Sequence, residues 1–384
     1  MSTMGDVDQQ AAASTSPTDG QNDETKEIFA KKISETITSG FVTLSLAIGR
    51  RTGLFDVLAR QQEPRTSHEI AAAAGLKERY VREWLGSMVT SRIIEVDTTS
   101  DSPRYFIPPH RAAVLAPSGA EILRMAFSER VVHLAKVTDD MVECFKEDGP
   151  QGLPSSAYPD FQGWCQDVKG PMLDSTFIDN FLPTIPGLVE KLESGITVCD
   201  VGCASGYVLF LLAQRFPNST YYGIDVSVEA VNMAKKEIAT RGITNVICDV
   251  IDAAKLPEDW SEKFDYIIAM STIHDVAAPE QCLREIRRVL KPGGQFSMRE
   301  IDVHTQHHDN IGNSAASMIY VISMMSCVPM SLHENGAGLG AMWGQEQVFA
   351  MLERTGFSDV KKLGIPGNQI HAHYMCSKSG SSME

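Results

Sequence analysis

From Ile196 to residue 378 the sequence alternates between short β-prone runs and segments of helical length. The β-prone runs are ITVCDVG, STYYGIDV, NVICDVID, FDYIIAMS, GGQFSMREI and IHAHYMCSK. Helical segments or loops separate the first five runs, and this alternation is typical of a sheet whose parallel strands are joined by helices. The sequence therefore predicts a doubly wound α/β sheet over residues 196–378.

A different pattern precedes this unit, over residues 28–115. Apolar residues recur at helical spacing on both sides of a break at Gly53, and SHEIAAAAGL followed by KERYVREWLGSMVTSRII predicts a helix, a turn and a second helix. The segment IIEVDTTSDSPRYFIPP then predicts two short strands joined by a polar turn. Helices followed by a two-stranded wing are typical of a winged helix-turn-helix domain.

Three further segments complete the predicted organisation. Residues 1–27 are acidic, small and polar and contain no apolar run, so they predict a disordered tail and not a signal or transit peptide. Residues 116–195 show helical patterns interrupted by the Gly/Pro-rich DGPQGLPSSAYPDF, and we expect a helical linker that also caps a substrate site. Residues 379–384 are expected to form a short C-terminal tail.

The charge balance limits the partners of this chain. It carries 49 acidic and 34 basic residues, a formal net charge of −15, which repels phosphate backbones and anionic lipid headgroups. The stretch 310–332 is uncharged and long enough to raise the question of a membrane span, but its serines, asparagines and proline make insertion costly. The eight cysteines form no CxxC motif, so we expect reduced thiols in a cytoplasmic protein without a membrane segment.

A glycine-containing turn follows the first strand of the α/β unit. The string VCDVGCASGYVLF places Asp200 at the strand end and Gly202 and Gly206 in the turn, with Cys203 and Ala204 between them. Small residues at the start of a helix let a ligand approach the backbone N–H groups. The G-x-G-x-x-G spacing of dinucleotide enzymes is not met, which argues against NAD as the ligand.

Carboxylates also end the next two strands. Asp225, followed by Val226, ends the second strand 23 residues beyond the first glycine of the turn, where its carboxylate can accept both hydroxyls of a ribose. Asp252, followed by Ala253, ends the third strand and suits an acceptor for the amino group of an adenine. Because the carboxyl ends of parallel strands meet at one edge, these side chains predict a single cofactor crevice, with Met270 as a further contact at the end of the fourth strand.

This set of motifs resembles the class I S-adenosylmethionine-dependent methyltransferases, and the resemblance covers residues 196–378. It implies a Rossmann-like domain with S-adenosylmethionine as cofactor. The resemblance further implies that the glycine turn lies against the methionine part, that Asp225 holds the ribose and that Asp252 binds the adenine. Ala204 stands where the family commonly has its middle glycine, and its methyl group is expected to tighten the turn.

A histidine follows the fourth strand. The run FDYIIAM leads into STIHD, which places His274 and Asp275 on the loop at the mouth of the crevice. A histidine titrates near neutral pH and can take a proton from a hydroxyl as the hydroxyl oxygen attacks a methyl group. Capping the next helix, or a hydrogen bond to the backbone, is the alternative role for a loop histidine.

The IHD string and the Gly-Gly strand also resemble the plant-type small-molecule O-methyltransferases, which join a winged-helix dimerisation domain to this α/β domain. The resemblance implies that His274 is the general base and that Glu300, six residues past Gly294, orients it. A carboxylate in that place would hold the imidazole tautomer and raise its basicity. Those enzymes commonly have a lysine four residues before the histidine, and this chain has Met270 at that position. The string GLGAMWGQE resembles a further group of winged-helix methyltransferases, which implies a reaction class without a substrate.

The segment between the fifth strand and the last strand is rich in methionine, which adapts to irregular apolar ligands. A lid over the methyl acceptor and a buried packing helix are both compatible with this pattern. The candidate substrate residues are Tyr158, Phe161, Met324, Met342 and Trp343.

A cluster of potential metal ligands occurs just after the fifth strand. It comprises Asp302, His304, His307, His308 and Asp309. Such a loop is more often a solvated surface turn than a metal site, and a general base at His274 requires no metal. We therefore expect no metal.

Together these features predict an S-adenosylmethionine-dependent methyltransferase that acts on an O, S or N nucleophile of a small molecule. We also expect a homodimer, formed through apolar residues within 41–58 and 80–88.

A cofactor-sensing regulator that binds DNA is one alternative function, but residues 60–111 carry eight basic and seven acidic side chains, and a protein that reads a DNA groove should be more basic. Nucleic acid is therefore not expected as a partner. Protein methylation is a second alternative.

Overall fold

The computed structural model of the protein describes residues 24–116, 122–158 and 177–379, so most of both predicted tails lies outside the described residues. The α-helices are α1 (Lys26–Arg51), α2 (Leu54–Arg60), α3 (Ser67–Ala74), α4 (Glu78–Thr90), α5 (Pro109–Leu115), α6 (Ile122–Ala135), α7 (Thr138–Cys144), α8 (Leu188–Ser194), α9 (Tyr207–Arg215), α10 (Val228–Arg241), α11 (Pro279–Val289), α12 (Ala316–Ile322), α13 (Val328–His333) and α14 (Gly344–Arg354). The strands are β1 (Glu95–Asp97), β2 (Arg104–Phe106), β3 (Thr197–Val201), β4 (Thr220–Asp225), β5 (Val246–Val250), β6 (Phe264–Met270), β7 (Leu290–Ile301), β8 (Ser358–Ile365) and β9 (Asn368–Ser377). Short 3-10 or π turns occupy Ser155–Ala157, Phe177–Phe181, Leu182–Thr184, Glu258–Trp260, His307–Asn310 and Ser323–Cys327.

Helices α1 to α5 and strands β1 and β2 form the N-terminal unit. Thr66 and Glu69 make a capping box at the start of α3, and Gly75 ends that helix in the left-handed conformation, which turns the chain into α4. Strands β1 and β2 pair antiparallel as a wing. The core of the unit includes Leu54, Phe55, Leu58, Ile70, Val81, Trp84, Leu85 and Met88. The predicted winged helix-turn-helix is confirmed.

Seven strands form the central sheet, in the order β5-β4-β3-β6-β7-β9-β8. The first five strands of this order are parallel, whereas β9 runs antiparallel to both of its neighbours. Successive residues of β6 belong alternately to two different hydrophobic clusters, so the two main cores lie on opposite faces of the sheet. The chain reverses its direction of travel across the sheet beside β3, and in such sheets this position opens a crevice at the carboxyl ends of the strands. The predicted doubly wound α/β fold is confirmed.

Two elements differ from the sequence-based expectation. Helix α1 begins at Lys26, two residues inside the predicted tail, because the side chain of Thr25 caps it. Strand β8 was not among the predicted β-prone runs. It lies at the edge of the sheet and seven of its eight residues are half-buried or exposed, so its sequence, SDVKKLGI, lacks the apolar run that marks a central strand.

One stretch of the described residues, Ala316–His333, is long and apolar enough to cross a membrane by length and composition. It comprises α12, the π turn Ser323–Cys327 and α13. Ile319 and Cys327 pack in a cluster with Met342. Helices that contribute such residues to the core of a folded domain pass the same test of length and composition.

Helix α1 carries an exposed apolar stripe. Its members follow one another at intervals of three or four residues, which places them on one face of the helix. They are Phe29, Ile33, Ile37, Phe41, Leu44 and Ile48. The apolar residues of α2 and α4 behave differently, since most of them are buried in the core of their own unit. The excess apolar surface therefore lies mainly on α1, and only partly within the predicted ranges 41–58 and 80–88.

Candidate active site

The glycine turn after β3 is held by the neighbouring elements. The N–H groups of Gly202 and Cys203 both donate to the carbonyl of Ile224 in β4, at 2.8 and 3.0 Å. Gly202 has a φ of +72°, and a Cβ at this position would lie 2.3 Å from Cγ2 of Thr272. Ala204 also adopts a left-handed φ, of +48°, which is uncommon for a residue with a side chain. The turn is therefore closely packed and its backbone is strained, and backbone strain of this kind is common at ligand-binding sites.

Asp225 connects the glycine turn to the end of β4. One carboxylate oxygen accepts a hydrogen bond from the N–H of Ala204 at 2.9 Å, and the other accepts from the N–H of Ser227 at 2.8 Å. Each oxygen of an ionised carboxylate can accept more than one hydrogen bond. The side chain can therefore hold the turn and still accept the hydroxyls of a ribose. Val226, beside it, is exposed.

Asp252 and Ala253 follow β5 along the same edge of the sheet. The strand ends at Val250, so Asp252 lies in the loop and not at the strand end that the sequence predicted. Its carboxylate is exposed and accepts the N–H of Ala254 at 2.9 Å, while Ala253 is buried. An exposed acceptor beside a small apolar contact retains the chemistry expected for an adenine amino group.

The other candidate cofactor residues are more enclosed. Asp200 is buried one residue before the end of β3, and Met270 is buried at the end of β6. The side chain of Cys203 points into the core, because its sulfur would lie 2.8 Å from a Cβ built on Gly223. Cys203 can therefore serve the crevice only through its backbone.

His274 and Glu300 form a buried pair beside this crevice. Nδ1 of His274 lies 2.5 Å from Oε2 of Glu300, and the two residues are 4% and 0% exposed. Strands β6 and β7 are parallel neighbours, so the loop after β6 meets the end of β7 although the two residues are 26 positions apart. The contact that the resemblance implied is present. With Nδ1–H donating to Glu300, Nε2 is left as the atom that can receive a proton.

Two further groups lie near Nε2 of His274. Oδ1 of Asp275 is 3.4 Å away, and the thiol of Cys327, from the π turn between α12 and α13, lies within 4.8 Å of both residues. Burial opposes a charged imidazole, but the negative charges of Asp275 and Glu300 outweigh burial and hold the pKa of His274 well above its ordinary value. The histidine therefore titrates above the neutral range that the sequence predicted, and it must lose its proton before it can act as a base.

Replacing Glu300 with glutamine is expected to lower the pKa of His274, because the imidazolium loses a carboxylate partner while the shape of the pair is kept. The measurement is an NMR titration of the His274 ring resonances in the wild type and in Glu300→Gln. Glu346→Gln is the matched control, since Glu346 pairs with His304 and not with His274. An unchanged His274 titration in Glu300→Gln would contradict the assignment of the pKa shift to this pair.

Among the described residues, His274, Asp275 and Cys327 also form a group whose ligand atoms could surround a metal ion. A metal there would occupy Nε2, so metal binding and proton removal at this atom exclude one another. The cluster considered from the sequence is organised otherwise: His304 pairs with Glu346 at 2.7 Å, and Lys362 forms an ion pair with Asp302.

The structure places the candidate substrate residues in different surroundings. Met324 and Met342 line a cleft of about 400 Å³ beside the π turn that carries Cys327. Tyr158 is buried next to this region and donates to the carbonyl of Met325 at 2.8 Å. Trp343 is packed into the core of the sheet, so the prediction that it contacts substrate is not supported by its position. Phe161 lies outside the described residues.

Comparison with known families identifies both units. Residues 192–356 match the family described as a methyltransferase domain, and residues 40–117 match the family described as an Rv2258c-like winged HTH domain. The chain thus combines a methyltransferase domain with an N-terminal winged helix-turn-helix domain, as predicted. Two structures that are similar in fold were solved with SAM or SAH.

Individual relatives share parts of the sequence or the fold. The chain is 32% identical over 117 residues to a tRNA U34 carboxymethyltransferase of Desulfotalea psychrophila, over 30% of this chain and 33% of that protein. It is 33% identical over 109 residues to a ubiquinone biosynthesis O-methyltransferase of Pseudomonas fluorescens, over 28% of this chain and 46% of the relative. The matched segments therefore span a third to a half of these relatives. Human N-acetylserotonin methyltransferase, solved in complex with SAM, is similar in fold, with a TM-score of 0.67 and 16% identity over 94% of this chain and 100% of that chain.

Two residues of the site carried no signal in the sequence. Thr272 limits residue 202 to glycine, and Cys327 contacts the His274 and Asp275 pair from a helix more than fifty residues away. A threonine after a strand and a cysteine in an apolar helix are both common in ordinary cores. Only their positions in space connect them with the site.

Proposed function

We propose that the chain is a methyltransferase that transfers a methyl group from S-adenosylmethionine to an O, N or S nucleophile of a small molecule, with His274 as the general base when the nucleophile is a hydroxyl. The observation that carries this proposal is the buried pair of His274 and Glu300, placed on the loop beside the crevice of a methyltransferase domain. A buried histidine oriented by a carboxylate is suited to proton removal.

The residues of the crevice fit the cofactor. The strained glycine turn brings backbone close to a ligand, and the half-buried carboxylate of Asp225 has acceptor capacity left for ribose hydroxyls. When bound, S-adenosylmethionine supplies a methyl group activated by its sulfonium.

The protein's own residues then act on the acceptor. Glu300 holds the imidazole, and Nε2 of His274, once deprotonated, takes the proton of the acceptor hydroxyl as the oxygen attacks in line. The proton on His274 is stabilised by Glu300 and Asp275 until it is released to solvent.

The cofactor part of the proposal is tested by replacing Asp225 with alanine, which removes an acceptor of ribose hydroxyls and also releases the N–H of Ala204. We expect the affinity for S-adenosylmethionine and S-adenosylhomocysteine to fall roughly 5- to 150-fold, the equivalent of about 1 to 3 kcal/mol. Calorimetry measures both affinities. Asp359→Ala, on the edge strand β8, is the matched control and should bind like the wild type. Equal affinity in all three proteins would end this assignment.

We further propose that two chains associate through the apolar stripe on α1. The stripe contains Phe41, which is 69% exposed, and it continues over most of the length of the helix. An extended apolar face of this kind usually marks an interface, and association through the same helix of both chains would give the two-fold symmetry common in homo-oligomers.

The double variant Ile37→Glu and Phe41→Glu is expected to be monomeric at micromolar concentration, because each dimer would bury four added charges. Lys32→Glu with Ser39→Glu is the control, since these two residues lie on the other side of the same helix at 100° per residue. Analytical ultracentrifugation of the three proteins measures the association state. A wild type that sediments as a monomer would overturn the proposed dimer.

A DNA-binding regulator is not supported by the surface of the winged-helix unit. Trp84, Leu85 and Met88 of α4 are buried in the core and cannot contact base edges.

The seven described cysteines are free thiols, which supports the proposal of a reducing, cytoplasmic environment.

A further inference from the structure

The candidate site contains a buried cation that the proposed mechanism does not use. Arg299 directly precedes Glu300 on β7 and is 6% exposed. Successive side chains of a strand point to opposite faces, so Glu300 reaches His274 while Arg299 lies on the other face of the sheet. There its Nη2 approaches Oγ of Ser271 at 3.4 Å.

The guanidinium of Arg299 is poorly satisfied for a buried charge. Nε is buried and donates to no group, and the contact of Nη2 with Ser271 is long for a hydrogen bond. Burial lowers the pKa of Arg299 to about 10, and the charge of Glu300 opposes this shift only in part. Among the described residues no carboxylate lies within ion-pair distance of the guanidinium. Buried charges are usually paired, so the guanidinium of Arg299 has donors free to pair with an anion.

The residue opposite Arg299 on the neighbouring strand is uncharged. His373 stands directly opposite in β9. Its Nδ1 lies 3.0 Å from Oγ1 of Thr184, its Nε2 lies 2.8 Å from Oγ of Ser297, and burial lowers its pKa to about 4. His373 is therefore uncharged at neutral pH and fully engaged in hydrogen bonds. It neither compensates the charge of Arg299 nor competes for an anion.

Arg299 is connected to the glycine turn by a short path. Its partner Ser271 follows the end of β6 in a left-handed conformation, with a φ of +54°, which is a costly geometry for a residue other than glycine. The next residue, Thr272, closely contacts Gly202. The guanidinium of Arg299 therefore contacts Ser271, and the residue after Ser271 is Thr272, whose side chain packs on the glycine turn. Ala204, in the glycine turn, also has a left-handed φ, of +48°.

We propose that Arg299 binds the carboxylate of the methionine moiety of S-adenosylmethionine. This inference rests on the proposed function. The carboxylate is the one anionic group of that cofactor, and the guanidinium edge formed by Nε and Nη2 is the edge that accommodates a carboxylate through two parallel hydrogen bonds. Nε is the unused donor of that edge, and Nη2 is weakly held by Ser271.

The experiment compares S-adenosylmethionine with decarboxylated S-adenosylmethionine, which keeps the sulfonium and the amino group. Calorimetry is done on the wild type, on Arg299→Met, which keeps the length of the side chain without its charge, and on Arg354→Met, an exposed arginine of α14, as control. We expect Arg299→Met to lose roughly 10- to 100-fold in affinity for S-adenosylmethionine and less than twofold for the decarboxylated compound. Arg354→Met should leave both affinities unchanged.

Equal losses for the two ligands in Arg299→Met, or no loss for either, would overturn the inference. If Arg299→Met does not fold, as judged by its melting temperature, Arg299→Lys takes its place and should retain part of the preference for the carboxylate, because a lysine keeps the charge without the fork. The wild type provides an independent test, since similar affinities for both compounds would also overturn the inference. If the wild type binds neither compound, the proposed function is refuted. If the wild type binds S-adenosylmethionine and Arg299→Met binds it equally well, only the inference about Arg299 is refuted.

Discussion

Replacing His274 with alanine is expected to lower turnover roughly 100- to 10,000-fold while the affinity for the cofactor stays nearly unchanged, because general-base assistance acts on proton removal and not on ground-state binding of the cofactor. The geometry supports a large effect, since Nε2 of His274 is the acceptor left after Nδ1 is bound to Glu300. Glu300→Gln should show a smaller loss of the same kind, because the imidazole remains but loses its orienting charge.

The measurement uses methyl-labelled cofactor with a fractionated metabolite extract, and the label should enter a small molecule and not DNA or protein. His68→Ala is the matched control, since its side chain is 80% exposed in the winged-helix unit. A pH series separates the acceptor chemistries. For a hydroxyl acceptor the variant stays slow throughout, whereas for a thiol or amine that loses its own proton the deficit shrinks as the pH rises. Undiminished turnover of His274→Ala across the series would reject the catalytic role.

Gly202→Ala is expected to destabilise the methyltransferase domain by about 3 kcal/mol and to weaken cofactor binding more than tenfold. Two costs add at this position. A left-handed φ of +72° costs an L-residue about 1 kcal/mol, and the new methyl group meets Thr272 at 2.3 Å, which forces the turn or the loop after β6 to move. Because both segments border the crevice, the shift should affect ligand affinity as well as the melting temperature.

Gly293→Ala is the control that separates these two costs. Gly293 has a φ of +74° but nothing within 4 Å of the position of a Cβ, so it should lose only the backbone term of about 1 kcal/mol and bind cofactor normally. Adding Thr272→Ala to Gly202→Ala should recover part of the lost stability. Thermal unfolding and calorimetry measure the series, and equal destabilisation of the two glycine variants would show that the contact with Thr272 is unimportant.

Local sequence patterns determined the domain types. The alternation of β-prone runs with helical segments predicts five parallel strands, because each central strand needs an apolar run and each helix needs an apolar face. Strand β8 escaped prediction because an edge strand is only partly buried. The apolar face of α1, which we propose as a dimer surface, lies only partly within the ranges predicted from the sequence, for a related reason. Apolar residues of α2 and α4 look alike in sequence whether they fill a core or face a partner, and the fold buries most of them.

For the candidate site, the sequence by itself determined the residues that stand at strand ends. Gly202, Asp225 and His274 could be recognised because parallel strands deliver their carboxyl ends to one edge. Tertiary structure alone decided the environment of those residues. It places Cys327 beside the imidazole that the family resemblance had already paired with Glu300, it lets the charges of Asp275 and Glu300 outweigh burial and raise the pKa of His274, and it buries Trp343 in the core instead of the cleft. These outcomes depend on strand register and on contacts between segments far apart in the chain, whose energies act through distance and burial, and no local pattern records either quantity.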